Sequence, residues 1–202
     1  MAKPIWTPAM KWIGNFVPLP FFVIPVVYGY RLLTAGFRPD PSGYTWIGIG
    51  FAAGWLAVAL LGGLPNPWLR RRLMVREAIQ PVRGQWFVGC SPAGFKNALD
   101  PHQDIGILSL GFDEITYVGD QSRWTMSRSE IKSVRFRPNV HTMLLLGGWL
   151  EIERQDGTAV ARVRVEPRSG IWVISSLWLL PKLRRRIADW WLGPSSSRNR
   201  VS

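Results

Sequence analysis

The chain has 202 residues, 47% of them hydrophobic, with one cysteine, twelve tryptophans and a formal net charge of +12. That length accommodates one ordinary domain plus an anchor and excludes two full globular domains. The single cysteine, Cys90, excludes an intramolecular disulfide and suits a reducing compartment. The charge is uneven: residues 1–83 hold nine Lys and Arg against Asp40 and Glu77, and residues 84–202 hold sixteen against eleven acids. The excess therefore sits beside the apolar segments, which points to anionic lipid headgroups rather than nucleic acid.

The first apolar run, Trp12–Tyr30, is nineteen residues without a charge, and the second, Pro41–Leu69, is twenty-nine. A helix needs about 20 residues to cross a bilayer core, so residues 1–69 read as a two-span transmembrane hairpin. Pro18, Pro20 and Pro25 predict a kinked first helix or one that starts near Pro20. The second span is the cleaner: Tyr44–Leu64 is almost wholly apolar and ends at Pro65-Asn66-Pro67. The prolines, and the lack of a small-x-small site, argue against a cleaved leader. Lys3 and Lys11 precede the first run, and Arg70, Arg71, Arg72, Arg76 and Arg83 follow the second. By the positive-inside bias both termini are expected in the cytoplasm, as a multi-pass protein of the inner membrane.

Gly50-x-x-x-Gly54 is a small-xxx-small face that admits a close helix, either the first span or a different subunit. Neither span holds an Asp, Glu, Lys, Arg or His. A proton or ion pathway built from ionisable side chains is not expected there, nor is a histidine ligand for a cofactor in the bilayer. Residues 70–84 read as a basic juxtamembrane helix. Arg70, Arg71, Arg72 and Arg76 follow Trp68 and interleave with Leu73, Met74 and Ile79, a pattern that serves topology signalling or lipid contact.

From Gln85 the pattern becomes short and alternating. Runs around Ile105–Leu110, Ile115–Tyr117, Trp124–Met126, Ile131–Phe136, Leu150–Ile152 and Ala161–Val165 repeat with period 2. They are separated by Gly111-Phe112-Asp113, Gly119-Asp120 and the hairpin signal Asp156-Gly157. Antiparallel strands with one buried face follow, six or seven of them, in a small sandwich or barrel. After Pro167 the period turns helical over Ile171–Leu192, with Ile171, Ile174, Trp178, Leu179 and Leu183 on one stripe and Pro181 expected to kink or divide it. Lys182, Arg184, Arg185 and Arg186 lie between Trp178-Leu179-Leu180 and Trp190-Trp191-Leu192. This suits either a capping helix with solvated charges or an interfacial one. Residues 194–202 read as a flexible polar tail.

Seven strands closed by one helix is the pleckstrin-homology (PH) architecture, and residues 85–193 resemble the bacterial PH-like family. The segments that carry the resemblance are Asp104-Ile105-Gly106-Ile107-Leu108-Ser109-Leu110, Glu114-Ile115-Thr116-Tyr117-Val118-Gly119-Asp120, Ser129-Glu130-Ile131-Lys132-Ser133-Val134 and Leu150-Glu151-Ile152-Glu153-Arg154-Gln155-Asp156-Gly157. They cover about half the chain. The departure comes after Arg137, where a short polar loop is expected and Pro138-Asn139-Val140-His141 instead leads into Met143-Leu144-Leu145-Leu146. The resemblance implies lipid recognition and a position after one or two transmembrane helices.

No set of residues completes a catalytic signature. Gly89-x-x-x-x-Gly94 is followed by Phe95-Lys96, so a phosphate loop fails at its defining position. Cys90-Ser91 has no partner base, and Asp100-x-His102-x-Asp104 reads as a polar turn rather than a metal site. Nothing in the sequence brings His102 and His141 together. The expectation is a non-enzymatic module without cofactor or metal, a scaffold or accessory subunit of a larger membrane complex. Its partners are membrane lipids and other membrane subunits, not nucleic acid. The alternative is an anionic-lipid-binding surface module. The lipid-facing candidates are Trp68, Arg70, Arg71, Arg72, Arg76, Lys182, Arg184, Arg185, Arg186, Trp190 and Trp191, with Gly50 and Gly54 for helix packing.

Overall fold

The computed structural model describes residues 4–11, 17–35, 39–92, 102–155 and 162–193. Helix α1 (Leu19–Thr34) begins one residue after Pro18, with Pro20 in its first turn, where a missing amide donor costs nothing, and it retains Pro25 inside. Helix α2 (Ser42–Leu61) follows, and a short turn at residues 62–65 leads into α3 (Asn66–Arg76). The helical run Ser42–Arg76, 35 residues whose most apolar stretch has a mean hydropathy of 2.0, is long and apolar enough to cross a membrane. At 16 residues, α1 is a shorter apolar helix.

The two apolar helices touch through glycine. A Cβ placed on Gly29 would lie 2.5 Å from the Gly43 carbonyl oxygen, and one on Gly43 the same distance from that of Gly29. Farther along, Gly50 sits against Val26 and the Phe22 carbonyl, and Gly54 against Phe22. The small residues are thus inside and the large ones outside: Tyr44 is 71% exposed, Ile24 67% and Phe51 60%.

The domain is one seven-stranded antiparallel sheet in the order β4-β3-β2-β1-β7-β6-β5. Its strands are β1 (Gln85–Pro92), β2 (Asp104–Leu110), β3 (Glu114–Gly119), β4 (Arg123–Ser127), β5 (Ile131–Arg137), β6 (Trp149–Arg154) and β7 (Arg162–Pro167). The edge strands β4 and β5 are joined by a single 3₁₀ turn, Arg128–Glu130, so the sheet curls back on itself into a half-barrel. The expected Asp156-Gly157 turn lies outside the described residues, as does the 194–202 tail, but the strands on either side of that turn pair antiparallel. Where a polar loop was expected after β5 stands a helical turn, α4 (Val140–Met143).

Helix α5 (Ser176–Leu192) closes the half-barrel and runs unbroken through Pro181. Its buried stripe is Ser176, Leu180, Leu183 and Ile187; of the stripe that the periodicity suggested, Leu183 is buried and Trp178 is exposed. The helix starts at Ser176, after a 3₁₀ turn at Val173–Ser175, so Ile171 and Ile174 lie outside it, and Trp178 falls well off the Leu183 face. The interior face joins Val88, Leu108, Ile115, Tyr117, Met126, Leu150, Ile152 and Val165 to this stripe. Each fully buried aliphatic side chain there contributes roughly 1.5–3 kcal/mol.

A second core lies on the outer face. Leu69 and Leu73 of α3, with Ile5 and Trp6, cover Phe87, Ile105 and Ile107. Strand β2 is therefore buried on both faces.

The glycine seam makes a prediction. Gly43→Val, which drives a side chain into backbone, should lower thermal stability in detergent by about 1–3 kcal/mol. Gly48→Ala, with nothing within 4 Å of its Cβ, should be neutral or gain up to about 1 kcal/mol of helix propensity.

Candidate functional site

The face of the domain that meets the helices is held by two buried carboxylates. The first is Asp120, at the end of β3. It accepts from the backbone N–H groups of Ile5 (2.9 Å) and Trp6 (2.8 Å) and from Arg76 Nη1 (2.5 Å). One side chain thus ties the N-terminal segment and the end of α3 to the sheet. The start of α3 is fixed separately: Asn66 Nδ2 donates to the Gly170 carbonyl at 3.1 Å, and Arg168 Nε donates to Asn66 Oδ1 at 3.2 Å. The Arg168 guanidinium also stacks over Trp6 at 4.9 Å.

The second is Glu166. It pairs across the ladder with Gly89, and the bare backbone of Gly89 is where the His102 ring lies. A Cβ there would come within 1.9 Å of the imidazole. His102 Nε2 donates to one Glu166 oxygen at 3.1 Å and His141 Nδ1 to the other at 2.9 Å, while Asn139 Nδ2 adds a third bond at 2.8 Å. Trp149 packs edge-on to His102 with ring centroids 5.0 Å apart.

The two histidines, which nothing in the sequence associates, are therefore gathered around one carboxylate. Burial alone would raise the Glu166 carboxyl, but the His141 and His102 rings outweigh it and hold the group well below the usual carboxylate range. Burial pushes the His102 imidazole down. A buried carboxylate saturated with donors acts as a clamp. Among the described residues no group of three or more His, Cys, Asp or Glu is arranged to hold a metal ion.

This clamp ties β7 to the segment 139–148. Thr142 Oγ1 donates to the Gly147 carbonyl at 2.8 Å, and Leu146 is fully buried beneath. The segment's outer tip meets α2, where Trp55 Nε1 donates to the Leu144 carbonyl at 2.6 Å.

The sequence-predicted residues have distinct fates. Gly50 and Gly54 face α1 of the same chain. Arg76 is committed to Asp120 and Glu77, and Arg72 lies over Trp68 at 4.9 Å. Arg71 is exposed and lines a groove of about 640 Å³ beside α3. Arg70, from the first basic cluster, and Lys182 and Arg186, from the second, line one pocket of about 410 Å³ with Gly84, Gln85, Trp86 and Ser169. Arg70 Nε is buried there with no hydrogen-bond partner among the described residues.

Arg184 and Arg185 edge a larger groove of about 1080 Å³ between α5 and the β5–β6 edge. Phe136, Leu150, Leu180 and Leu192 are among its lining residues. Trp190 donates to the Gly111 carbonyl at 2.8 Å and stacks under Arg128, and Trp191 packs half-buried against the core. The strand arginines are tied into a ladder: Glu151 accepts from Arg164 at 2.9 Å and Arg137 at 3.2 Å. Its carboxyl stays below its ordinary value because these two cations outweigh the effect of burial.

Set against known proteins, the chain matches no family profile and no curated protein sequence. The class rests on the fold, a curled seven-stranded antiparallel sheet with a C-terminal helix, which is compatible with a PH-like domain.

The Glu166 clamp makes a pH prediction. Because the folded pKa of His102 lies below its ordinary 6.5, the unfolded chain binds the extra proton first. Stability is then full above about pH 6.5 and falls as pH drops below it, by at most about 1.4 kcal/mol per pH unit. Thermal melts of the wild type should drop between pH 7.5 and 5.5, and His102→Gln should flatten that slope. Glu166→Ala, which strands three donors, should cost about 3 kcal/mol at neutral pH.

Proposed function

We propose that this chain is a non-catalytic, membrane-anchored PH-like module that serves as a scaffold or accessory subunit of a larger membrane complex. Helices α1 and α2 form a two-span hairpin with both ends on the cytoplasmic side. The observation that carries the reading is the inverted burial of the hairpin. Gly29, Gly43, Gly50 and Gly54 are inside while Ile24, Tyr44, Trp46 and Phe51 are outside, with 28% of the most apolar window of the run buried. In water such a surface would be an aggregation hazard. In lipid it is the expected arrangement, since helices there associate through small residues. At 20 residues, α2 is about 30 Å long, the thickness of a hydrocarbon core.

The docking of segment 4–11 and of α3 on the same domain favours a hairpin that returns to the side it left. An accessory role is favoured by the groove between α5 and β5–β6. It is apolar along its floor, edged by Arg184 and Arg185, and open beside the unpaired edge of β5, which suits a helix or strand of a partner subunit.

A second reading, capture of an anionic lipid headgroup, is favoured by the pocket that Arg70 shares with Lys182 and Arg186. Three cations near an anionic surface contribute on the order of 1 kcal/mol each. Native mass spectrometry of the full chain released from its own membranes separates the two readings. The accessory role predicts a stoichiometric complex with larger subunits. A monomer carrying only anionic phospholipid would assign the second reading, and a bare monomer would sink both.

A further inference from the structure

We propose that the domain is itself sunk into the bilayer beside the hairpin. Its wedge is the tip at Met143, Leu144 and Leu145 together with Ile171, Trp172 and Trp178, and its occupant is the acyl chains of the surrounding lipid. The inference rests on the hairpin reading above and adds a second, independent immersion to it.

The depth comes from Trp55. This residue lies six positions before the end of α2 at Leu61, about 9 Å inside the helix at 1.5 Å per residue. Helical side chains lean toward the N-terminal end, here away from the domain. Its indole N–H nevertheless donates to the Leu144 carbonyl at 2.6 Å, so that carbonyl stands level with the apolar part of the span. A backbone carbonyl in hydrocarbon must find a donor, and Trp55 supplies one.

A second segment docks lower on the same helix. A Cβ on Gly63 would lie 2.1 Å from the Ile171 carbonyl, and one on Gly62 would lie 2.8 Å from Val173. Residues 171–173 therefore press on the glycine backbone just past the end of α2.

The side chains around these two contacts are apolar and unpacked. Met143 is 84% exposed and Leu145 72%, and Ile171, Trp172 and Trp178 are each more than half exposed. No Asp, Glu, Lys or Arg occurs from Pro138 to Leu150 or from Gly170 to Pro181; Lys182 comes next, then Arg184, Arg185 and Arg186. An apolar tip, then tryptophans, then cations is the order a bilayer presents from core to headgroup. The patch is continuous with the outward-facing surface of α2, which selects lipid over a water-facing partner. The Glu166 clamp is what holds the tip in this position.

The test uses full-length protein in vesicles of phosphatidylcholine and phosphatidylglycerol. Single cysteines at Leu145, Trp178, Phe51 and Phe112 carry an environment-sensitive fluorophore, and quenchers are placed on the acyl chains or in the water. Cys90 does not compete, being buried with its thiol pushed up to about 12. The labels replace exposed side chains, so folding is retained.

The expected result is that positions 145 and 178, like 51 on the hairpin, are quenched from the acyl chains and not from the water. Position 112, on the β2–β3 turn, should be quenched only from water. Acyl-chain quenching at 51 with aqueous quenching at 145 and 178 overturns the wedge and leaves the hairpin standing. Aqueous quenching at 51 overturns the hairpin instead. Protection of 145 and 178 only in the complex from native membranes would give the patch to a protein and also overturn the proposal.

Discussion

The contact between Gly29 and Gly43 sets the terms for the rest of the molecule. At that crossing the two backbones leave no room for a side chain between them, and farther along Val26 and Phe22 of α1 fill the space left by Gly50 and Gly54 of α2. Tyr44, Ile24 and Phe51 are left pointing outward. That geometry holds α1 and α2 together as one close-packed pair. It also fixes where α2 leaves the pair, and so where α3 and the domain begin. Packing of this kind relies on dispersion and close backbone approach.

The helix pair and the domain are then joined by buried carboxylates rather than by a flexible linker. Asp120 gathers Ile5, Trp6 and Arg76, so that chain before the hairpin and chain after it meet on one residue. Glu166 gathers His102, His141 and Asn139 and so fixes the segment that reaches back to Trp55. A buried acid is costly unless donors saturate it, and once saturated it is costly to disturb. Both acids sit on the outer face of the sheet. The inner face is left to α5 and the apolar core.

The strands were legible in the sequence because period-2 alternation is a local signal, and among the described residues the six alternating runs fall within β2 to β7. The apolar hairpin was legible for the same reason, as was the small-residue face of α2. What escaped depends on contacts between residues far apart in the chain. Glu166 and His102 are 64 positions apart, and only the Gly89–Glu166 register makes them neighbours. The docking of α3 left a fainter trace: Ile105 and Ile107 on one face of β2 and Leu108 and Leu110 on the other are all apolar, which indicates a strand covered on both sides. Trp190 and Trp191 have the composition of membrane-edge residues, yet in the fold Trp190 bonds to the Gly111 carbonyl and Trp191 packs on the core. Composition alone could not separate those roles.

The central claim is that α1 and α2 carry the chain across a bilayer and back, leaving the domain on the side where the chain began. Cysteine accessibility in intact cells tests it most directly, with Pro39→Cys in the turn between the helices and Val82→Cys between α3 and β1, both exposed in the structure. The account predicts that a membrane-impermeant maleimide labels position 39 from outside and reaches position 82 only after permeabilisation. Labelling of both positions under the same condition, whether before or after permeabilisation, would contradict it.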